Sequence, residues 1–471
     1  MRTLTLLSIG AVVCSLMAHA GGMMQASPTK ASPAKSGAEV AKEPAAERDR
    51  YVLVRCGRLL AVPGEAVTRD VTIVIKNRRI ERIMPGFDGP DLAQERAAGA
   101  DVVETDLRDR FVLPGLIDCH VHLTFEMGPD NALRVVTEST SDRALRGVVF
   151  ARRTLEAGFT TVRDLGGEAE AIFALRDAIN RGDVPGPRIL AAGKAISVTG
   201  GHADPGNGLR EDVFCHVGPE VGVADGPDEC LKAVRMQVKR GADVIKIMAT
   251  GGVLSRSAAG LAQHFTEEEL RALVAAAHSM KRKIAAHAHG TDGINAALRA
   301  GVDSIEHGTF SDEETLRLLK EKKAWLVPTL LASATSMENA RKPGYYIEAV
   351  AKKAMEAGPA RFANFTKSVA AGVAVAFGTD SGVSAHGQNA REFGLLVQCG
   401  MTPEQCVIAA TRNAAGLLGL ADEIGTLEPG KLADLIGVDG DPLRDVGVFG
   451  NVRFVMRGGV VVKDVGLARA N

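Results

Sequence analysis

The middle of the chain alternates short apolar runs with segments in which apolar residues recur every three to four positions. The first pattern predicts buried β-strands, and the second predicts amphipathic helices. One of these helices opens with Thr266 followed by Glu269, which is the spacing of a capping box. The predicted strands are 115–121, 160–164, 188–196, 244–248, 284–288, 304–307, 325–328 and 373–379, and the helices between them include 145–157, 229–240, 267–280 and 313–322.

Eight strands that alternate with helices predict an α/β fold with a (β/α)8 TIM barrel over residues 114–423. A doubly wound open sheet is the alternative, but no G-x-G-x-x-G motif follows the first strand. The flanking segments 49–113 and 424–471 show short β-type runs separated by turn residues. We therefore expect both chain ends to assemble one small β-sandwich beside the barrel.

The N-terminus has the pattern of a secretory signal peptide over residues 1–20. Arg2 precedes an apolar run at 4–17, and Ala18-His19-Ala20 forms a small-residue cleavage site. Residues 21–48 are rich in Ala, Ser, Pro and Gly and are typical of a flexible leader. We expect export to the periplasm or beyond, where Cys215 and Cys230 are either a disulfide or two buried hydrophobic residues.

The charges of the chain are nearly balanced. Lys and Arg total 56 against 57 Asp and Glu, so the formal net charge is -1. This composition offers no field that would attract a polyanion, which argues against a nucleic-acid partner. Beyond the N-terminus, no apolar run reaches the roughly 18–20 residues of a membrane span. We expect a small molecule as the substrate. The sequence leaves open whether the protein forms a homo-oligomer.

Metal-binding side chains gather at the predicted C-terminal ends of the strands, where barrel enzymes hold their active sites. H-x-H pairs end strands one and five, and alternate residues of a strand share a face. Lys246 lies inside the apolar run of strand four, where a cation is costly unless it is neutralised or paired. The other residues of the set are His120, His122, His287, His289, His307 and Asp380.

Each of these residues has an ordinary explanation when it is taken alone. Histidines are common on exposed strands, and His307 could hydrogen-bond to backbone in the core. Asp380 could cap the next helix, and Lys246 could pair with Asp164 on strand two. Their common position at the strand ends favours a two-metal hydrolytic centre.

Imidazole and carboxylate groups suit Zn²⁺ with an open position for water, although other divalent metals fit as well. Two cations need a bridging anion between them. A lysine amine supplies one when it reacts with CO2 to form a carbamate, which would explain Lys246 at that depth. A bridging water would then ionise near neutral pH and attack a carbonyl, while Asp380 passes its proton to the leaving nitrogen.

Six segments of the chain resemble the amidohydrolase superfamily. More narrowly, they resemble its prolidase-type, Xaa-Arg/Lys dipeptidase-type and ochratoxinase-type carboxypeptidases. The resemblance covers nearly all of residues 51–464. The segments are LPGLIDCHVH (113–122), VIKIMATGG (244–252), AAHAHG (285–290), SIEHG (304–308), FGTDS (377–381) and GTLEPGKLAD (425–434).

The resemblance implies a binuclear centre with two Zn²⁺ and a carboxylated Lys246, and it makes Asp380 the proton shuttle. The first metal would be held by His120, His122, Lys246 and Asp380, and the second by carboxylated Lys246, His287 and His307.

Two related groups fit the sequence less well. Deaminases of the superfamily carry H-x-x-E on strand five, whereas His287 is followed by Ala, His and Gly. The imidazolonepropionase-like group, which the chain also resembles, uses one metal and lacks the strand-four lysine, so Lys246 argues against that activity. Some relatives polarise the carbonyl with a tyrosine, but none follows strand three or four here. That task would fall to the metal, His202 or His289.

Substrate-binding residues are expected on the loops after the strands. His202 follows strand three, and Arg256 follows strand four and could clamp a carboxylate. A loop-stabilising histidine and a solvated loop arginine are the alternatives. The sequence predicts an exported zinc amidohydrolase that cleaves an amide bond next to a free carboxylate, in dipeptides or N-acyl amino acids. The alternatives are a cyclic-amide or lactone hydrolase and a non-catalytic metal-binding barrel.

Overall fold

The computed structural model describes residues 49–210, 217–255 and 260–466. The expected signal peptide (1–20) and leader (21–48), together with Cys215 and Arg256, lie outside these residues. The strands are β1 Arg50–Leu59, β2 Thr68–Lys76, β3 Arg79–Pro85, β4 Asp101–Pro114, β5 Leu116–Val121, β6 Phe159–Asp164, β7 Arg188–Ala191, β8 Val244–Met248, β9 Lys283–Ala288, β10 Ser304–His307, β11 Trp325–Val327, β12 Leu435–Val438, β13 Phe454–Arg457 and β14 Val460–Asp464.

The α-helices lie mostly between the strands of the middle segment. They are α1 Ala93–Ala97, α2 Asn131–Thr137, α3 Thr140–Glu156, α4 Ala169–Arg181, α5 Gly226–Arg240, α6 Glu267–Ser279, α7 Thr291–Ala300, α8 Glu313–Glu321, α9 Leu330–Ala340, α10 Glu348–Ala370, α11 Arg391–Gln398, α12 Pro403–Ile408 and α13 Ala414–Leu418.

Both chain ends build one sheet of seven strands, in the order β14-β13-β12-β4-β1-β2-β3. The 14-residue strand β4, which the sequence pattern did not predict, joins them because it pairs in parallel with β1 and antiparallel with β12. Apolar side chains of β1, β2, β12 and β13 form a core of their own on this sheet. The two ends therefore share one continuous sheet with its own apolar core.

The middle of the chain forms two parallel sheets, β5-β6-β7 and β8-β9-β10-β11. The predicted eighth strand, 373–379, is not a regular strand. Its backbone does contact both sheets, since Ala376 N–H bonds Leu326 O and Cys119 N–H bonds Phe377 O. The N–H of Phe377 instead bonds Ala409 O, which interrupts the ladder. The fold is α/β, and the regular strands of its middle segment form two parallel sheets rather than one continuous ring of eight strands.

Local sequence patterns predict the positions of several elements correctly. Strands β8 and β10 have the predicted bounds. Thr266 and Glu269 form the expected capping box, with the Thr266 side chain accepting from Glu269 N–H at the start of α6. Strand β7 is shorter than predicted and ends at Ala191. Among the described residues, no helix is both long and apolar enough to cross a membrane.

Candidate metal centre

Three strand ends, those of β5, β9 and β10, and the segment after Phe377 bring ligand-type side chains together. Nε2 of His120 lies 3.6 Å from Oδ1 of Asp380, and Nε2 of His122 lies 3.0 Å from the same atom. The rings of His120 and His307 are 5.1 Å apart. One ligand atom from each of His120, His307 and Asp380 falls within 4.8 Å of the others, and the same holds for His287, His289 and His307.

The backbone at two of these residues adopts the left-handed conformation, with φ of 76° at His307 and 59° at Asp380. This conformation is costly for residues other than glycine. At His307 it breaks the alternation of β10, so that Glu306 and His307 both reach the cluster although they are consecutive. Strained backbone at functional positions is a recurring feature of active sites.

The outer ring nitrogens of His120 and His122 are fixed by acceptors. Nδ1 of His120 lies 2.8 Å from Oε2 of Glu306, and Nδ1 of His122 lies 2.6 Å from the carbonyl oxygen of Gly166. A carboxylate and a carbonyl only accept, so each Nδ1 carries the proton. Metal-binding histidines commonly donate their second nitrogen in this way. Burial, followed by the charge of Lys246, lowers the pKa of His120 to about 4, so its ring is neutral at pH 7.

Glu306 is a buried carboxylate that no motif of the sequence singles out. Its Oε1 accepts from Arg163 Nη2 at 2.8 Å and from the Ser304 hydroxyl at 2.5 Å. Burial alone would raise the pKa of Glu306, but the charge of Arg163 and the hydrogen bond to His120 outweigh it and lower that pKa to about 2. A glutamate next to a histidine in an apolar strand was the only sequence signal for this role.

His287 and His307 face each other across the second half of the cluster. Nδ1 of His287 lies 2.9 Å from Nε2 of His307. Nδ1 of His307 lies 2.7 Å from the hydroxyl oxygen of Thr329. Burial lowers the pKa of both rings well below the usual value. Two neutral imidazoles therefore direct ring nitrogens toward each other, and a cation bound to both would stabilise this arrangement.

Lys246 is buried on β8, with 1% of its surface exposed. Within the described part of the chain, its Nζ has no hydrogen-bond partner, so the pairing with Asp164 does not occur. Asp164 instead accepts from Leu123 N–H at 2.6 Å. Burial lowers the pKa of Lys246 to about 8, although Glu306 and Asp380 oppose the shift.

His202 stands over the cluster, with its ring 4.4 Å from that of His287. The ring lies against the backbone of Gly252, where an added Cβ would come within 2.1 Å of the His202 ring. Burial, followed by the charge of Lys246, lowers the pKa of His202 to about 3. Among the described residues, Nδ1 of His202 has no hydrogen-bond partner. Arg256, the other expected substrate residue on this side, lies outside the described residues.

His289 belongs to the same group of rings but has different neighbours. Its ring is 4.6 Å from that of His287. Its Nδ1 lies 2.7 Å from the Thr309 hydroxyl oxygen and 3.3 Å from Nη2 of Arg361. Burial and then the Arg361 charge lower the pKa of His289 well below the usual value. No sequence pattern singles out Arg361, because it is one of several basic residues on a long helix.

The cluster lies in a cavity of about 360 Å³. Four cationic side chains line it, against Asp380 as the one carboxylate among the described lining residues. Burial would raise the pKa of Asp380, but His120, His122 and Lys246 lower it to about 2, so it is an anion at neutral pH. The cationic residues are Arg143, Lys194, Lys246 and Arg361, and the larger apolar ones include Phe125, Met127, Leu165, Val253, Leu254 and Val383.

Comparison with known proteins identifies the family. The model of the amidohydrolase family matches residues 111–462 of the 471. The chain belongs to this family. Ochratoxinase from Aspergillus niger is 33% identical to this amidohydrolase over 443 residues, which cover 89% of this chain and 88% of ochratoxinase.

Two solved structures resemble the amidohydrolase closely. A Xaa-Pro dipeptidase with methionine bound in its active site has a TM-score of 0.83 and 41% identity, covering 87% of this chain and 99% of that one. A prolidase in complex with N-methylphosphonate-L-proline has a TM-score of 0.78 and 30% identity, covering 88% and 100%. Family and relatives together make this chain a hydrolase that acts on amide bonds.

Proposed function

We propose that this amidohydrolase uses two zinc ions to cleave an amide bond next to a free carboxylate, in dipeptides or N-acyl amino acids. The observation that carries the proposal is the orientation of three histidine rings. His120 and His122 donate Nδ1–H outward, as does His307 toward Thr329, so each directs Nε2 into the same cavity. Outward-donating rings of this kind are typical of metal ligands.

The donor set fits a pair of divalent cations. His120, His122 and Asp380 would hold one ion, and His287 and His307 the other. Lys246 would join both as a carbamate, formed when its neutral amine adds to CO2 and loses a proton. Its buried Nζ has no hydrogen-bond partner among the described residues, which supports this, because a buried amine without hydrogen bonds is costly. The ions would polarise the scissile carbonyl and make water acidic enough to deprotonate near neutral pH.

Asp380 is the residue that we assign to proton transfer. Its carboxylate is anionic at neutral pH and lines the cavity beside His120 and His122. In the proposed reaction it accepts the proton of the attacking water and delivers it to the amide nitrogen as the C–N bond breaks. For this transfer the Asp380 carboxylate must lie within hydrogen-bond reach of both the attacking water and the amide nitrogen.

The charge of the cavity favours an anionic substrate. Lys194 is paired with Glu168 at 2.8 Å, and Arg143 lies 4.0 Å from Glu138, so both rim cations have nearby carboxylates. The buried guanidinium of Arg361 donates to uncharged groups, and together with the two proposed zinc ions it would outweigh the negative charges of Asp380 and the Lys246 carbamate, leaving a net positive field inside. A free carboxylate next to the scissile amide would be attracted by this field. The methionine and L-proline moieties bound by the two solved relatives carry such a group.

The apolar wall of the cavity favours a hydrophobic substituent on the substrate. Phe125 and Met127 line one side, while Val253 and Leu254 line another. About 360 Å³ accommodates a dipeptide or a similarly sized N-acyl amino acid. The similarity to ochratoxinase and to a Xaa-Pro dipeptidase supports an amide substrate.

A matched pair of substrates tests the role of the carboxylate. An N-acyl-L-phenylalanine and its methyl ester have the same amide, but only the acid carries the negative charge. We expect the zinc-loaded enzyme to cleave the amide of the acid with a kcat/KM at least tenfold above that of the ester. Equal rates on the acid and the ester would contradict recognition of the carboxylate. If the enzyme cleaves only lactones or cyclic amides, the same metal centre serves a lactone or cyclic-amide hydrolase instead.

Two further features belong to this proposal. We propose that the two parallel sheets and segment 373–379 together form the (β/α)8 barrel, beside a β-sandwich domain formed by residues 49–113 and 424–471. We also propose export, supported by the apolar run at 4–17 and the small residues Ala18 and Ala20. Intact mass of the mature protein should then correspond to a chain that begins at Gly21, and a mature chain that retains residues 1–20 would contradict export by this route.

A further inference from the structure

Arg361 lies on α10 with its guanidinium buried at the edge of the cavity, and the residue is 4% exposed. Its Nε donates to the Thr309 hydroxyl oxygen at 3.1 Å. Its Nη1 donates to the carbonyl oxygen of Thr329 at 3.1 Å and to the hydroxyl oxygen at 3.3 Å. Its Nη2 points to Nδ1 of His289 at 3.3 Å. The Arg361 guanidinium therefore contacts the two threonines that lie beside His289 and His307.

The contacts of His289 determine which of its nitrogens carries the proton. Guanidinium only donates, so Nδ1 of His289 must accept from Nη2 of Arg361. Thr309 already accepts from Arg361 Nε, and its own proton is free to reach the same Nδ1 at 2.7 Å. The Arg361 contact therefore requires an unprotonated Nδ1, and the Thr309 hydroxyl is able to donate to it. A neutral His289 then carries its proton on Nε2.

The contacts of His307 lead to the opposite result. The Thr329 hydroxyl donates its single proton to the carbonyl oxygen of Pro328 at 2.8 Å and accepts from Arg361. Its oxygen must also accept from Nδ1 of His307, which lies 2.7 Å away. Nδ1 of His307 is therefore protonated. Nε2 keeps its lone pair and faces Nδ1 of His287.

We propose that Arg361 is a positioning residue that fixes His289 and His307 in opposite tautomers, so that His307 presents a lone pair and His289 presents an N–H. This separates His289 from the metal ligands, although its ligand atom lies within 4.8 Å of those of His287 and His307. Because His289 lines the cavity, its Nε2–H is available to an oxygen of the substrate. Only this last consequence rests on the proposed amide hydrolysis.

Nitrogen NMR of the zinc-loaded protein tests the tautomer directly, since protonated and unprotonated ring nitrogens of histidine have widely separated ¹⁵N shifts. The signals of His289 are identified as those that a His289→Gln variant lacks. We expect an unprotonated Nδ1 and a protonated Nε2 in the wild-type protein. A protonated Nδ1 would overturn the proposal. The spectrum requires no substrate, so its result is independent of whether the chain hydrolyses amides.

Variants show whether Arg361 is the cause. Arg361→Met should shift a measurable fraction of His289 to the Nδ1–H form. The matched control is Lys352→Met, which removes a cation whose side chain is 74% exposed on the same helix and should leave the spectrum unchanged. An unchanged His289 spectrum in Arg361→Met would overturn the proposal.

A second variant keeps the test decisive if Arg361→Met does not fold. Thr309→Val removes the hydroxyl but leaves Arg361 beside His289, so Nδ1 should stay unprotonated. A proton on Nδ1 in this variant would assign the effect to Thr309 and overturn the role of Arg361. With a cleavable substrate, Arg361→Met should lower kcat by up to about 10²-fold and change KM far less. The reason is that the hydrogen bond from His289 Nε2–H to the reacting oxygen is weakened.

Discussion

Oε2 of Glu306 lies 2.8 Å from Nδ1 of His120, and Oε1 of the same carboxylate accepts from Arg163. Glu306 thus couples a buried guanidinium to a ring of the candidate metal centre. The carboxylate holds the proton of His120 on Nδ1, so that Nε2 stays free for a metal. It also compensates the charge of Arg163, which has 2% of its side-chain surface exposed.

Replacing Glu306 with Gln should weaken both functions. We expect zinc affinity to fall by roughly 10- to 100-fold because the His120 proton is no longer held by a charged acceptor. Because Arg163 would lose its charged partner, the free energy of unfolding should drop by about 3–5 kcal/mol. Zinc competition with a chromophoric chelator and chemical denaturation measure the two effects. Glu268→Gln, at an exposed position on α6, is the control, and equal behaviour of the two variants would argue against this role.

Lys246→Met keeps the volume of the side chain but removes the amine that would carry CO2. We expect this variant to lose at least one zinc and nearly all turnover together, because the bridging anion is absent. Metal analysis after dialysis, read beside the hydrolysis rate, measures both. In the wild-type protein, ¹³C-labelled bicarbonate should give a carbamate signal that Lys246→Met lacks. Two tightly bound zinc ions and full activity in Lys246→Met would contradict the assignment.

Asp380→Asn separates metal binding from proton transfer. The amide oxygen of Asn can still act as a ligand, but Asn has no basic carboxylate to accept a proton. We expect kcat to fall by about 10²- to 10⁴-fold, while the variant retains most of its zinc. Steady-state kinetics on metal-loaded protein provides the measurement. Turnover at the wild-type rate would exclude Asp380 as the proton shuttle.

Gly252→Ala tests the position of His202, because the new Cβ would overlap the histidine ring. The ring must move, so kcat/KM should fall by about tenfold or more if His202 contacts the substrate. Gly394→Ala is the matched control, since a Cβ there meets nothing within 4 Å, and alanine in helix α11 should be neutral or slightly stabilising. If both variants keep wild-type kinetics, His202 does not contribute to the reaction.

The sequence pattern predicted the parts of the fold that local chemistry determines. Apolar runs with sharp ends gave the bounds of β8 and β10, and H-x-H spacing placed His120 and His122 on one face beside Asp380. A lysine inside an apolar run predicted the burial of Lys246. In these cases the signal lies within a few residues, and period-two alternation or a capping pair is enough to read it.

The remaining features depend on contacts between distant segments. Alternation would place Glu306 on the opposite face from His307, and only the left-handed φ at His307 brings both to the centre. Arg361 reaches His289 from 72 residues away on a helix whose sequence gives no sign of it. The irregular segment at 373–379 follows from a hydrogen bond between Phe377 and Ala409, which no local pattern encodes.

Hydrolysis of defined amides by the purified mature chain, loaded with zinc and bicarbonate, tests most directly whether this enzyme cleaves an amide next to a free carboxylate. A library of dipeptides and N-acyl amino acids would be screened for released amine, with and without a chelator, beside the Asp380→Asn variant. We predict release that the chelator abolishes, that zinc restores and that the variant lacks. No release from any member by protein with two zinc ions bound would contradict cleavage of an amide next to a free carboxylate.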